Sequence, residues 1–276
     1  MQSLAQQVII FTIYSFIGWV CETIFCSVPK KKFVDRGFLN GPFCPIYGFG
    51  ALIVIDILSP FEENVFLLFF SSVIVTTAIE YVTGVVLEKI FHTTWWDYSE
   101  NKFNFQGRIC LTNSLLFGVM CVVGIQFVHP IILDLVNGIN HKWAVGIGYA
   151  LVAYFICDTI ITLHTIAQLK GKLEQLQQVL DEIKAKTAAM KDSLIEKGAM
   201  AKAGGIKNLQ NMLDNLLDDD AKSNLNSLYE KKEKVEKEFK YMQRRIIRAF
   251  PTMKSNKNNE SLSRIKEMIW GKIGKR

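Results

Sequence analysis

The chain has 276 residues, of which 50% are hydrophobic and 21% charged, with a formal net charge of +6 and a pI near 8.9. The two kinds of residue are segregated: apolar residues crowd the first ~165 positions, as spans of ~20 residues require, and most lysines lie beyond Leu169. The positive balance therefore belongs to the tail and the short loops, which argues against nucleic acid as a partner and against one soluble globular domain.

The first apolar run begins almost at Met1, lacks the positive flank of a signal peptide and outruns the length of its apolar region, so it is expected to be retained as a helix. A spanning segment must satisfy its own backbone hydrogen bonds over ~20 residues, which selects 4–28, 43–60, 64–87, 110–133 and 142–166. The second is short and opens on Pro42 and Pro45, so a partly re-entrant course is open to it. The connection after the first segment holds Lys30, Lys31, Lys32 and Arg36, whereas the next has no Lys or Arg and carries Glu62 and Glu63. The third holds Lys89, Lys102 and Arg108, the fourth only Lys142, and the tail opens with Lys170 and Lys172. Every odd connection is basic, which places the N-terminus outside and the C-terminus in the cytoplasm for a multi-pass protein of the cytoplasmic (inner) membrane.

From Ile166 the apolar residues fall at Leu169, Leu173, Leu176, Leu180, Ile183, Met190 and Leu194, with Thr187 the interruption, the spacing of a coiled-coil seam. Gly204 and Gly205 break it, Ile206, Leu209, Leu213 and Leu216 follow, and after Asp218–Asp220 it resumes at Leu225, Leu228, Val235, Phe239, Met242 and Ile246. Such a pattern either folds back as a helical hairpin or joins a second copy of the chain. Pro251–Asn259 reads as a polar linker. Beyond it Leu262, Ile265, Met268, Ile269, Trp270 and Ile273 oppose Arg264, Lys266, Lys272, Lys275 and Arg276, a pattern that favours an anionic membrane surface over docking on the tail. The expected fold class is thus all-α: a polytopic membrane helix bundle of about five spans over 1–166, a cytoplasmic coiled-coil or helical-hairpin tail over 167–250, and a linker with an amphipathic basic helix over 251–276.

Ionisable residues inside the apolar segments mark candidate sites, because even lenient scales charge about 2.5–3.5 kcal/mol for Asp at a helix centre. Glu22 lies in the first segment, Glu80 in the third, and Asp158, followed by His164, in the fifth. Glu22 and Glu80 fall at comparable depth in helices that run the same way. The connections at that depth, Asp35 to Gly48 and Thr94 to Arg108, carry glycines and prolines at a density that makes irregular backbone, tolerated near the membrane only when buried or lining water. Arg36 and Arg108 are the cations expected to partner Glu22, Glu80 and Asp97. The bland alternatives are helix-tying charges and, for Trp95, Trp96 and Tyr98, an interfacial aromatic belt, which is preferred for the tryptophans. For the acidic set with Arg36, an inward-facing polar cavity for a small solute, ion or lipid head group is preferred, lined by Glu22, Arg36, Tyr47, Glu80, Trp96, Asp97, Tyr98 and Asn104. The six cysteines show no CxxC or metal-ligand spacing and read as reduced packing residues. No metal or cofactor is expected.

The run of motifs, Gly18-Trp19 with Glu22, Arg36-Gly37-Phe38-Leu39 with Gly41-Pro42, Cys44-Pro45-Ile46-Tyr47-Gly48, Glu80-Tyr81, and Trp96-Asp97-Tyr98-Ser99 with Asn104 and Gly107, resembles the bacterial family labelled putative ABC-transporter permease, type IV (CmpB-like), over about residues 8–135. The resemblance implies transport. The chain holds no GxxxxGK[ST] P-loop and few spans for a permease, so it also implies a separate ATPase and a homo-oligomer. A membrane transport component is the leading function. A scaffold or sensor signalling through the coiled coil is the alternative, and a lipid-modifying enzyme is disfavoured because no nucleophile–base pair, GxSxG or HExxH occurs.

Overall fold

The computed structural model of the protein describes residues 3–196 and 219–271. These residues are almost wholly helical. Helix α1 (Leu4–Lys30) opens on a reciprocal cap in which Gln6 N donates to Ser3 Oγ at 3.3 Å and Ser3 N donates to Gln6 Oε1 at 2.9 Å. Helix α2 (Pro45–Leu58) starts on a proline, whose missing N–H costs nothing in a first turn, and runs into a single 3₁₀ turn at Ser59–Phe61. Asn64 caps α3 (Val65–Phe91) by accepting from Leu67 N at 3.1 Å. The next apolar rod, Leu111–Asn137, consists of α4 (Leu111–Val123), a π turn at Gly124–Val128 and α5 (His129–Asn137). The π turn ends just before Pro130, where a missing donor must be absorbed. Helix α6 (His141–Glu196) is continuous for 56 residues.

Among the described residues, four helices are long and apolar enough to cross a membrane, in Leu4–Pro29, Val65–Phe91, Leu111–Asn137 and His141–Ala189. The expected second span is the short one. Its 14 residues rise about 21 Å, and the 3₁₀ turn adds about 6 Å, just under a hydrocarbon core of ~30 Å. Prolines at both ends, Pro45 and Pro60, set that length.

The described residues divide into two compact units, one comprising the chain up to Ile166 with Met242–Lys257, the other Ala167–Tyr241 with the residues from Asn258 onward. In the first unit, α1 packs chiefly on α2 and α3 on α4. The α1–α2 crossing is close because its contact positions are small: a Cβ on Gly18 would fall inside the Tyr47 ring, and one on Gly48 would overlap Ser15 Oγ and Phe11. Ile9, Ile10, Ile132, Val136 and Ala144 form one buried cluster joining α1, α5 and α6, and Val54, Leu58, Leu68 and Ile125 form another joining α2, α3 and the π turn. Phe66, Phe70, Ile74 and Ile160 point outward, as suits side chains whose solvent is lipid.

Asp158 explains how the irregular segment between α1 and α2 is held. Its carboxylate accepts the backbone amides of Asn40 and Gly41 at 2.9 Å each, together with the hydroxyls of Tyr154 at 3.2 Å and Thr162 at 3.4 Å. Asn40 Nδ2 in turn donates to Thr162 Oγ1 at 3.2 Å. The cost of burying a carboxylate is met by donors that would otherwise be unsatisfied themselves.

In the second unit, the α6 residues Leu169, Leu173, Leu176, Leu180 and Ile183 are buried, and Val179 and Ile183 pack with Leu225 and Leu228 of α7 (Asp219–Lys237). Helix α9 (Asn259–Gly271) buries Leu262, Ile265 and Ile269. Its polar side is tied to its own unit: Ser261 N and Oγ donate to Gln177 Oε1 at 3.2 and 2.8 Å, Lys184 pairs with Glu260 at 2.5 Å, and Arg264 with Glu236 at 2.5 Å. The apolar face expected to lie on a membrane surface is therefore occupied within the protein. Gly204, Gly205, Ile206, Leu209, Leu213, Leu216, Asp218, Lys272, Ile273, Lys275 and Arg276, and the side chains of Met190, Leu194, Asp219 and Asp220, lie outside the described residues.

Asp158→Ala leaves the amides of Asn40 and Gly41 buried without an acceptor and should destabilise the protein by about 2–4 kcal/mol, read as a lower midpoint of thermal unfolding in detergent; Asp158→Asn, which keeps one acceptor, should lose less.

Candidate functional site

The close crossing at Gly18 sets the site. Glu22 lies one turn further along α1 from Gly18, and Tyr47, in the first turn of α2, is brought against it. Tyr47 OH donates to Glu22 Oε1 at 2.7 Å, and Arg36 Nε donates to Glu22 Oε2 at 3.2 Å. On the opposite helix pair, Glu80 of α3 accepts the hydroxyl of Tyr98 at 3.2 Å. Between the pairs α1–α2 and α3–α4 lies a cavity of about 990 Å³ lined by Glu22, Arg36, Tyr47, Glu80, Trp96 and Tyr98 among many apolar side chains. Two of the expected site residues are elsewhere. Asp97 and Asn104 do not line this space, and the lining is mainly apolar rather than polar, with its charged groups confined to one patch.

Asn104 and Trp96 build the segment that carries Tyr98. Strands β2 (Asn104–Phe105) and β3 (Ile109–Cys110) pair antiparallel around Gln106 and Gly107, whose φ of 53° and 67° are those of a tight hairpin turn. Asn104 Nδ2 donates to Asn101 O at 2.8 Å, Gly107 N donates to Asn104 Oδ1 at 3.1 Å, and Trp96 Nε1 donates to Arg108 O at 2.8 Å. Tyr98 N donates to Gly107 O at 2.8 Å, which fixes the backbone from which its hydroxyl reaches Glu80. Arg108 pairs with Glu88 at 2.7 Å, not with Glu80 or Asp97. Of the two expected cation assignments, only the one for Arg36 holds.

The partner of Asp97 is Lys254, from a part of the chain that read as linker. Partial burial pushes the Asp97 carboxyl up, but hydrogen bonds from Lys254 and from the Ser99 hydroxyl and amide outweigh it and hold the group at about 2. Strand β4 (Lys254–Ser255) pairs antiparallel with β1 (Thr93–Thr94), and Asn256 N donates to His92 O at 3.2 Å. Helix α8 (Tyr241–Ala249) supplies the other half of this attachment. Arg245, 6% exposed, donates to Gly37 O at 3.1 Å and Leu39 O at 2.7 Å and pairs with Asp35 at 3.3 Å, while Arg36 donates to Ala249 O. Phe250 sits in the cavity lining, its ring 4.9 Å from that of Trp95 and 5.3 Å from the Arg36 guanidinium. Trp95 is thus buried against Phe38, Phe91 and Phe250 rather than placed in an interfacial belt. Residues 242–257 close over the loops between the membrane helices. The available signal was the cluster Arg244, Arg245 and Arg248 leading into Phe250-Pro251, which breaks the heptad spacing just where cations and an aromatic accumulate.

A model of the family described as putative ABC-transporter type IV matches residues 9–163, more than half of the chain. The protein belongs to this family. No curated protein and no solved structure matches it. The family region contains every residue expected for the site, from Glu22 to Asn104, whereas Arg245, Phe250 and Lys254 come from beyond it. Membership in the ABC-transporter type IV family together with apolar helices of spanning length makes this a multi-pass membrane protein and fits a membrane transport component.

Arg245→Ala removes the buried cation that grips the 35–39 backbone and should loosen residues 242–257 by about 3 kcal/mol, a hundredfold or so in amide exchange at Lys254 and Ser255. Unchanged protection there would show that β1–β4 pairing alone holds the segment. Because Asp97 titrates near 2 rather than its ordinary 3.8, the stabilisation from its pair with Lys254 is fully present above pH 4 and is lost as pH falls through 2. Exchange protection of β4 should accordingly stay level from pH 7 to 4, and Asp97→Asn should lower it across that range.

Proposed function

We propose that the protein is the membrane-embedded component of a transporter and that the cavity between α1–α2 and α3–α4 receives an amphiphile directly from the bilayer. The observation that carries this reading is the character of the cavity: an apolar space of about 990 Å³ with one confined patch of charged and hydroxyl groups. Such a division suits a ligand with a chain and a head group better than a small polar solute or a bare ion. The lining also includes residues that face outward: Phe49 and Ile53 of α2, Val82 of α3, and Val119 and Val123 of α4 are all more than 40% exposed. In a bilayer these positions border lipid, so the space is open sideways to acyl chains.

The same arrangement supports the inferred orientation. The basic connections 31–44 and 92–110 and the segment 242–257 gather at one end of the membrane unit, joined by Arg245–Asp35 and by β1–β4. That is the geometry expected when both odd connections and the tail share the cytoplasmic side. The polar patch then lies toward the inner leaflet, with residues 242–257 over it. Because the sequence carries no P-loop, a separate ATPase is the proposed source of energy.

Two measurements test the proposal. Native mass spectrometry of protein extracted with its lipids should find one amphiphile per chain, and Val82→Trp, which fills the side opening without touching the charged patch, should lower that occupancy at least fivefold. A wild-type protein free of bound amphiphile, or a Val82→Trp variant with full occupancy, would overturn the reading. Affinity purification from the native membrane should recover an ATP-binding subunit.

A further inference from the structure

The polar end of the cavity is charged asymmetrically. Among the described residues that line it, the charged groups are Glu22, Glu80 and Arg36. Glu22 is fully engaged, one oxygen taking the Arg36 guanidinium and the other the Tyr47 hydroxyl. Glu80 is not. Its Oε1 takes the Tyr98 hydroxyl at 3.2 Å, while Oε2 is buried with no hydrogen-bond partner, in a residue 6% exposed. The basic residue nearest in sequence, Lys89, lies more than two turns further along α3, and Arg108 is committed to Glu88 at 2.7 Å. A buried acceptor without a donor is costly, and a charged one more so, so a site built this way is completed by a ligand that brings a donor and a positive charge.

We propose that Glu80 receives the primary ammonium group of an amphiphile, whose alkyl chain occupies the apolar part of the cavity and leaves it between α2 and the α3–α4 pair. This rests on the reading of the cavity as an amphiphile site. The ammonium N–H donates to Glu80 Oε2, in a part of the lining that also holds the aromatic residues Tyr47, Tyr98 and Trp96. A metal ion is a poorer fit than an amine, since no group of three or more His, Cys, Asp or Glu side chains that could hold one occurs among the described residues. Arg36 does not serve an anionic head group equally well, because Glu22 already neutralises it and the Ala249 carbonyl takes a further donor.

The test uses the full chain, purified in a nonionic detergent, and three probes with the same tail: dodecylamine, dodecanol and dodecanoate. Dodecylamine should raise the unfolding temperature and bind at least tenfold tighter than either of the others, and Glu80→Gln should erase that preference. If wild-type protein binds amine and alcohol equally, prefers the carboxylate, or keeps its amine preference in Glu80→Gln, the head-group assignment is wrong while the amphiphile cavity stands. If no alkyl probe binds, the cavity reading fails with it. Should Glu80→Gln fail to accumulate, the wild-type ranking of the three probes decides alone. Phosphatidylethanolamine added as competitor separates two sources of the same chemistry: displacement of dodecylamine assigns the head group to a membrane lipid, and no displacement assigns it to a free long-chain amine.

Discussion

The carboxylate of Asp158 is the point on which one end of the membrane unit depends. An extended, glycine-containing connection between two helices has amides that nothing local satisfies, and Asp158 accepts two of them, at Asn40 and Gly41. With that backbone held, Arg36 is positioned to reach Glu22, Asp35 accepts from Trp19 Nε1 at 2.8 Å and from Gly37 N at 3.0 Å, and the carbonyls of Gly37 and Leu39 are presented to Arg245. The cost of an ionised group among apolar helices is thus met by ordering a loop, and the order of that loop is what makes the cavity's charged patch a defined arrangement rather than a mobile one.

The hydrophobic spans were legible in the sequence because their signal is local: a spanning helix must be apolar along its own length, and its ends carry prolines, caps and charges that can be read in place. The short second helix was legible for the same reason, from Pro42 and Pro45. Polar residues inside such spans stand out by cost alone, which is why Glu22, Glu80 and Asp158 could be singled out. Their partners were harder. Arg36 lies close along the chain to Glu22 and was named, whereas Lys254 and Arg245 lie 157 and 210 residues from their partners and leave no periodic trace. An amphipathic pattern also says only that a face will be covered. In α9 that face is buried at Leu262, Ile265 and Ile269 while Gln177, Glu236 and Lys184 hold the polar side, and no property of the helix itself distinguishes burial within the protein from a lipid surface.

Asn104 shows a second reason for the shortfall. It belongs to the motif set on which the family resemblance rests, yet its amide goes to turn carbonyls, so it shapes the segment that carries Tyr98, whereas Trp96 both donates its indole N–H to Arg108 O and lines the cavity. A family pattern records positions that matter for any physical cause, and the hydrogen bonds tell which positions form the backbone of a site and which face its interior.

The division of the chain has a topological consequence. The backbone passes between the two units at Ile166–Ala167, at Tyr241–Met242 and again at Lys257–Asn258. The tail is therefore not a pendant group attached by one linker but a body sewn on at three points, with the stretch 242–257 forming a stitch whose two ends both return to it. Cleaving any one crossing leaves the other two covalent ties intact.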